Sequence, residues 1–289
     1  MPHLHHGAAI SSASVLITAM LVFTALVYLR GCLSLRSNSL GGIAGWRVCS
    51  FLVGLFLIWL AVASPLSGLD HQSLTVHMLK HLLLMTVAPP LIWLSEPVRA
   101  WSQGLPAAFV RIFQRPLMLG LGDFLARPQL GWLAAAAALI LWHIPPIFAL
   151  GMRSAGWHFV EESSFLVTGL LFWWPIIQPW PSISQPDLSM ILYLFFATIP
   201  CDILSGFLVF CDRVIYPGYL SSSHLFGFTA LGDQQCAAAL MWTCVTIVYL
   251  IAGVILATRL LSPQHVHDRG FVAKSQELPG GREAFQHGD

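Results

Sequence analysis

The chain has 289 residues, 56% of them hydrophobic and only 9% charged, with a formal net charge of +1 and a mean hydropathy of +0.73. Soluble domains carry roughly 25% charged residues, so this composition excludes an ordinary water-soluble domain. A charge so close to zero also excludes the basic surface of a nucleic-acid-binding protein.

An all-α, polytopic membrane helix bundle is the expected fold, with the lipid bilayer as its surroundings. Runs able to cross a bilayer need about 20 apolar residues. Seven are read from the chain: Ser14–Leu33, Trp46–Ala63, Leu74–Leu94, Leu130–Phe148, Ser163–Ile177, Leu188–Phe210 and Cys236–Leu261. The fifth is short unless it begins near His158. The amino-terminal MPHLHHGAAISSAS lacks a positively charged n-region, so the first run is expected to remain as a span. Residues 1–13 then form an exterior tail with histidines, residues 14–261 a seven-helix membrane domain, and residues 262–289 a polar, disordered cytoplasmic tail.

Orientation follows from the basic residues of the loops. Arg30, Arg36 and Arg47 follow span one, and Arg99, Arg111, Arg115 and Arg127 follow span three. Arg259, Arg269, Lys274 and Arg282 follow span seven, whereas the opposite loops hold only Arg153 and Arg213. The amino terminus is therefore expected outside and the carboxyl terminus in the cytoplasm. Pro106 to Arg115 predicts a short interfacial helix, and Trp173, Trp174 and Trp180 are expected to form an aromatic belt at the inner end of span five.

With that topology the polar residues of the spans gather at one depth. His77 and His81, four residues apart on one helix face, fall in the outer half of span three. His143 comes near the outer end of span four, and His158, Glu161 and Glu162 near that of span five. Asp202 lies in span six, Asp233, Gln234 and Gln235 open span seven with Met241 further in, and Asp70 lies in the loop before span three. The inner half is almost purely apolar. Ionisable groups within a bilayer are costly and usually face a protein interior, where they serve a metal, a proton or a partner. A proton path would need groups at inner depth too; a site open to the outer face would not.

Imidazole nitrogen with carboxylate, thiolate or thioether suits copper or zinc, and methionine and cysteine favour Cu(I). The expected metal ligands are His77, His81, His143, His158, Glu162 and Met241, with Asp70, Asp202, Asp233, Gln234 and Gln235 as supporting polar groups. Core packing is the simpler reading of Met241 and Cys244, and Asp202 could instead pair with Arg153 or Arg213. The six cysteines show no zinc-finger or CxxC spacing; Cys211 and Cys236 could be bridged or simply packed. At the amino terminus His3 stands third, but Pro2 has no amide proton, which rules out a square-planar amino-terminal copper site.

Taken together, HMLKHLLLMTVAPPLIWL followed by EP, WHIPPIF, WHFVEESSFLVTGLLFWWPII, YPGY and LGDQQCAAALMW resemble, in order, the motif blocks of the CtaG-like family of cytochrome c oxidase assembly factors. The likeness covers about Ser64 to Leu261. It is not a likeness to the unrelated single-span copper chaperone that shares the CtaG name. The resemblance implies a polytopic protein of the bacterial plasma membrane, needed for maturation of haem–copper oxidases through copper delivery. Its partners would be haem–copper oxidase subunits or a periplasmic copper chaperone. Carried over, the motif positions are His77, His81, His143, His158, Asp233, Gln234, Gln235 and Met241. One departure is Glu162, where the family commonly has histidine; an oxygen ligand is harder and weakens a preference for Cu(I).

The competing expectations are a haem-carrying redox protein, with histidines of spans three and four as axial ligands, and a copper permease, against which the apolar inner half counts. No GxSxG, P-loop, HExxH or dinucleotide fingerprint occurs. The expectation is therefore a protein that is not an enzyme.

Overall fold

The computed structural model describes residues 12–37, 42–113, 115–177, 188–220 and 227–261, and these are helical with short connections and no strand. Helix α1 spans Ser12–Ser37 and α2 Gly45–Val62, followed by a 3-10 turn, Pro65–His71. A continuous run then comprises α3 (Leu74–Leu82), a π turn (Leu83–Val87) and α4 (Ala88–Leu94). Short helices α5 (Pro97–Gly104), α6 (Ala107–Phe113) and α7 (Pro116–Leu125) lead to α8 (Pro128–His143), α9 (Pro145–Arg153) and α10 (Ala155–Ile177). The chain closes with α11 (Leu188–Phe210), a 3-10 turn (Pro217–Tyr219) and α12 (Ala230–Leu260).

Among the described residues, five helical runs are long and apolar enough to cross a membrane: α1, α2, Leu74–Leu94, α11 and α12. The other two expected spans correspond to α8 and α10. The run expected over Leu130–Phe148 is divided, because Pro145 and Pro146 cannot continue the backbone ladder, and α8 stops at His143 after 16 residues. Helix α10 has 23 residues, but it begins at Ala155 and its first turns carry His158, Glu161 and Glu162. The short helix expected in the loop after span three is α6. The expected tails lie outside the described residues apart from Ser12 and Ala13, as does Trp180.

Burial sorts the helices. Only 6% of the apolar window of α1 is buried, against 61% for Leu74–Leu94, so that run is the central element and α1 is peripheral. Phe23, Phe195, Ile203, Phe207 and Leu250 form part of a broad exposed apolar surface, the kind of surface that lipid covers. The central run divides its side chains between two cores. Leu74, Met78 and Leu82 join a cluster with α8 to α12, whereas Leu84, Ala88 and Ile92 join one with α1, α2, α5, α8 and α10.

The π turn has a local cause. Pro89 and Pro90 both lack an amide proton, so the Met85 carbonyl finds no donor four or five residues on. The Trp173 indole supplies one at 3.2 Å. Gly169 permits that approach: a Cβ there would stand 2.6 Å from the Met85 oxygen and 2.8 Å from its Cα. Trp173 is thus 2% exposed and part of the core, which corrects its expected place in an aromatic belt. Its neighbour Trp174 packs edge-on against Trp93, ring centres 4.6 Å apart.

Candidate metal centre

The site is built outward from the start of α3. Ser73 caps the helix and donates to Asp233 Oδ1 at 2.9 Å. The Asp233 carboxylate also accepts the Leu74 and Thr75 amides at 2.6 and 3.2 Å and the Thr75 hydroxyl at 2.6 Å. A carboxylate at a helix N-terminus meets both the orphan amides and the positive end of the helix dipole. Asp233 therefore locks α3 to α12 and fixes the heading of His77 and His81, one and two turns further on.

Gln234 pins the preceding loop. Its Oε1 accepts the Ile215 amide at 2.7 Å, and its Nε2 donates to the Arg213 carbonyl at 3.1 Å. That loop delivers the two tyrosines of the YPGY motif. Tyr216 donates to the His143 carbonyl at 3.0 Å and Tyr219 to the Asp70 carbonyl at 2.7 Å. Asp233 and Gln234 are scaffold; Gln235 is half-buried.

At the centre is Glu161, fully buried. Its Oε1 lies 3.3 Å from His77 Nε2 and 3.4 Å from His81 Nε2, and its Oε2 lies 3.4 Å from His158 Nδ1. Gly151 leaves room for this carboxylate, since a Cβ there would come within 2.7 Å of Oε2. Phe148 meets His77 edge-on and Phe165 stacks on His81, ring centres 5.0 and 4.0 Å apart.

The second layer is ionic. Lys80 Nζ reaches Asp70 Oδ2 at 2.5 Å, Glu162 Oε1 at 2.6 Å and the Ser67 carbonyl at 3.3 Å. His158 Nε2 lies 2.9 Å from Asp70 Oδ2 and 3.3 Å from Glu162 Oε1. An ionised carboxylate can only accept, and both ring nitrogens of His158 face one: Nε2 turns to Asp70 and Glu162, and Nδ1 to Glu161. That is the carboxylate–histidine arrangement by which metal-binding imidazoles are oriented. Burial alone would raise the Asp70 carboxyl; the hydrogen bond from His158 and the Lys80 ammonium outweigh it and hold Asp70 well below the usual carboxylate range.

Several buried atoms at this centre have no aligned hydrogen bond. They are both nitrogens of His77, Nδ1 of His81, Nδ1 of His158 and both oxygens of Glu161. Orphaned buried polar atoms are rare and costly. The spacing of the Nε2 atoms and Oε1 is one that a metal ion would fit. Metal–ligand bonds of about 2.0–2.2 Å in a tetrahedral shell place neighbouring ligand atoms about 3.3–3.6 Å apart, which matches the spacing of Glu161 from His77 and His81. His77, His81 and Glu161 form one group whose ligand atoms lie within 4.8 Å of one another, and Asp70, His77 and His158 form a second that shares His77. Charge points the same way. Three buried carboxylates, Asp70, Glu161 and Glu162, face one ammonium, so with neutral imidazoles the cluster carries an excess of negative charge.

The sequence-predicted residues thus separate. His77, His81 and His158 meet at Glu161, whereas Glu162 is held by Lys80. His143 lies one step aside, its ring centre 6.4 Å from that of His81. Met241 is buried in the hydrophobic core, and half-buried Asp202 stands outside the cluster, with no ion pair to Arg153 or Arg213 among the described residues. All six cysteines are free thiols. Sequence reasoning passed over Lys80, and it placed Glu161 at the right depth without counting it among the ligands. Glu161 follows His158 by three positions and so shares its face, and Lys80 is a charge inside an apolar run, which by itself marks a functional or paired group.

Comparison with known proteins adds a family. The chain is 23% identical over 253 residues to the uncharacterized protein Mb0105 of Mycobacterium bovis and, to the same extent, to the uncharacterized protein MT0111 of Mycobacterium tuberculosis. The match takes in 84% of this chain but only 38% of each relative. No solved structure matches. The sequence model of the cytochrome c oxidase caa3 assembly factors (Caa3_CtaG) matches residues 26–262, which include every residue of the buried cluster. With that match over most of its length, the chain belongs to the caa3-type cytochrome c oxidase assembly factor family.

Proposed function

We propose that the protein assists oxidase assembly by holding a copper ion at His77, His81, His158 and Glu161 and handing it to a haem–copper oxidase subunit. Copper is cargo in this reading, received from the exterior or from a periplasmic copper chaperone, and the protein itself is not a catalyst. The observation that carries it is the approach of Glu161 Oε1 to His77 and His81 Nε2 at 3.3 and 3.4 Å, in a cluster of buried atoms without aligned hydrogen bonds. Three imidazoles and one carboxylate suit a borderline ion such as copper or zinc, and the oxidase context of the family favours copper.

The topology that goes with this reading has seven spans, with α8 and α10 added to the five long apolar runs, in the bacterial plasma membrane. The arginine bias of alternate loops supports an exterior amino terminus and a cytoplasmic carboxyl terminus. The cluster then lies near the outer face, where an exterior donor and an oxidase subunit can both reach it. An axial haem pair is less well supported, because Phe148 and Phe165 pack directly on the rings of His77 and His81.

The test is the copper content of the full chain purified in detergent, against the double variant His77→Ala/His81→Ala. About one ion per chain is expected for the parent, and none for the variant. Equal copper in both would remove the site from consideration.

A further inference from the structure

A feature outside that ligand set concerns His143 and Met78. His143 Nδ1 lies 2.7 Å from the Leu139 carbonyl, which can only accept, so Nδ1 carries the ring proton. In the neutral ring Nε2 then presents a lone pair to Met78 Sδ, 3.3 Å away. Thioether sulfur is itself only an acceptor. Two lone-pair donors, one nitrogen and one sulfur, therefore face each other at residues 5% and 1% exposed, a soft pair of the kind that prefers Cu(I).

This pair stands at one end of a line of imidazoles, and the other end is in solvent. His71 has 56% of its side chain exposed, and its ring centre lies 5.9 Å from that of His158. From His158 to His77 the distance is 5.8 Å, from His77 to His81 4.3 Å and from His81 to His143 6.4 Å. With metal–nitrogen bonds of about 2.0–2.1 Å, two imidazoles sharing one ion have ring centres no more than about 6.4 Å apart. Three steps fall inside that reach, and the fourth, from His81 to His143, lies at its limit.

We propose that these side chains form an ordered ligand-exchange path, along which a soft monovalent cation taken up at His71 passes His158, His77 and His81 to the buried nitrogen–sulfur pair of His143 and Met78. The path rests on the copper-holding reading given above and adds a direction and a terminus to it. Each transfer forms one metal–ligand bond as another breaks. No electron changes hands; His158, whose two nitrogens both face carboxylates, passes its Nδ1 proton to Glu161 as it takes the ion and regains it as the ion leaves, and the other rings exchange none. The Glu161 carboxylate, midway, offsets the positive charge in transit. The gathering of six ligands at shared-ion spacing also explains why the cluster is larger than one ion needs.

The probe is Cu(I), presented anaerobically to the full chain in detergent as a coloured chelate whose bleaching gives the loading rate. Replacing His71, an exposed side chain, by alanine is expected to slow loading about tenfold by removing the surface ligand that concentrates the ion, with the final copper content unchanged. Met78→Leu, close in volume, is expected to remove the sulfur scatterer from the X-ray absorption spectrum of the loaded protein and to weaken retention about tenfold. A parent protein that binds copper without a sulfur neighbour, or a His71→Ala variant that loads at the parental rate, overturns the path while leaving the copper-holding reading intact. A parent protein that takes up no copper overturns both.

Discussion

Lys80 Nζ lies 2.5 Å from Asp70 Oδ2, joining the central helix to the turn before it through a pair that is almost wholly buried. The same ammonium holds Glu162 at 2.6 Å, so a single cation secures two carboxylates from different elements. Breaking a buried pair from one side is far costlier than the net worth of the pair, because the abandoned charge stays in low dielectric. Lys80→Met should lower stability by about 3–5 kcal/mol, read as a fall in the unfolding temperature in detergent. Adding Glu162→Gln to it should cost less than the sum of the two single changes, since the residues share a partner. Strict additivity would mean that the ion pair does not exist in solution.

The neighbouring glutamates should behave differently from each other. Glu161→Gln removes charge from the atom set between His77, His81 and His158, and should weaken copper retention about 10- to 100-fold. Glu162→Gln removes a counter-ion of Lys80, and should lower stability while leaving copper content near that of the parent. Copper titration and thermal unfolding of both variants check this. A loss of copper in the Glu162 variant alone would restore that residue to the ligand set.

Asp233 acts at a distance from the ion. Asp233→Ala strips the acceptor from the Leu74 and Thr75 amides and the Ser73 and Thr75 hydroxyls, and buried donors left without partners cost about 1–3 kcal/mol. Asparagine keeps one oxygen and should recover part of the loss. Thermal unfolding of the two variants decides, and equal stability of the alanine variant and the parent would show that the cap is not needed.

Much of this was legible in the residues themselves. The run Leu188–Phe210 was bounded correctly from apolarity alone, and the i, i+4 spacing of His77 and His81 put both on the buried face of the central helix. The motif blocks pointed to the family. What the sequence could not supply was the choice between neighbours and between like residues. Glu161 and Glu162 are adjacent, so a helix points them about 100° apart, and only the packing of α10 against α3 decides which meets the histidines. Met78 and Met241 offer the same sulfur, but His143 faces the one on α3. Lys80 escaped notice because loop charges, rather than charges within spans, carry the orientation signal. The division of the fourth apolar run was written in Pro145 and Pro146, whose geometry outweighs any degree of apolarity.

The π turn between His81 and the proline pair also settles a question of phase. Each residue of a helix turns its side chain by about 100°, and the surplus residue in a π turn rotates everything beyond it relative to everything before. That offset adds to the separation by which Leu74, Met78 and Leu82 belong to one core while Ala88 and Ile92 belong to the other. Deleting one residue from Leu83–Val87 would keep the composition, length class and hydropathy of the span almost unchanged. It would nevertheless force one half of the helix to swivel, carrying either the imidazoles away from Glu161 or Met85 away from Trp173.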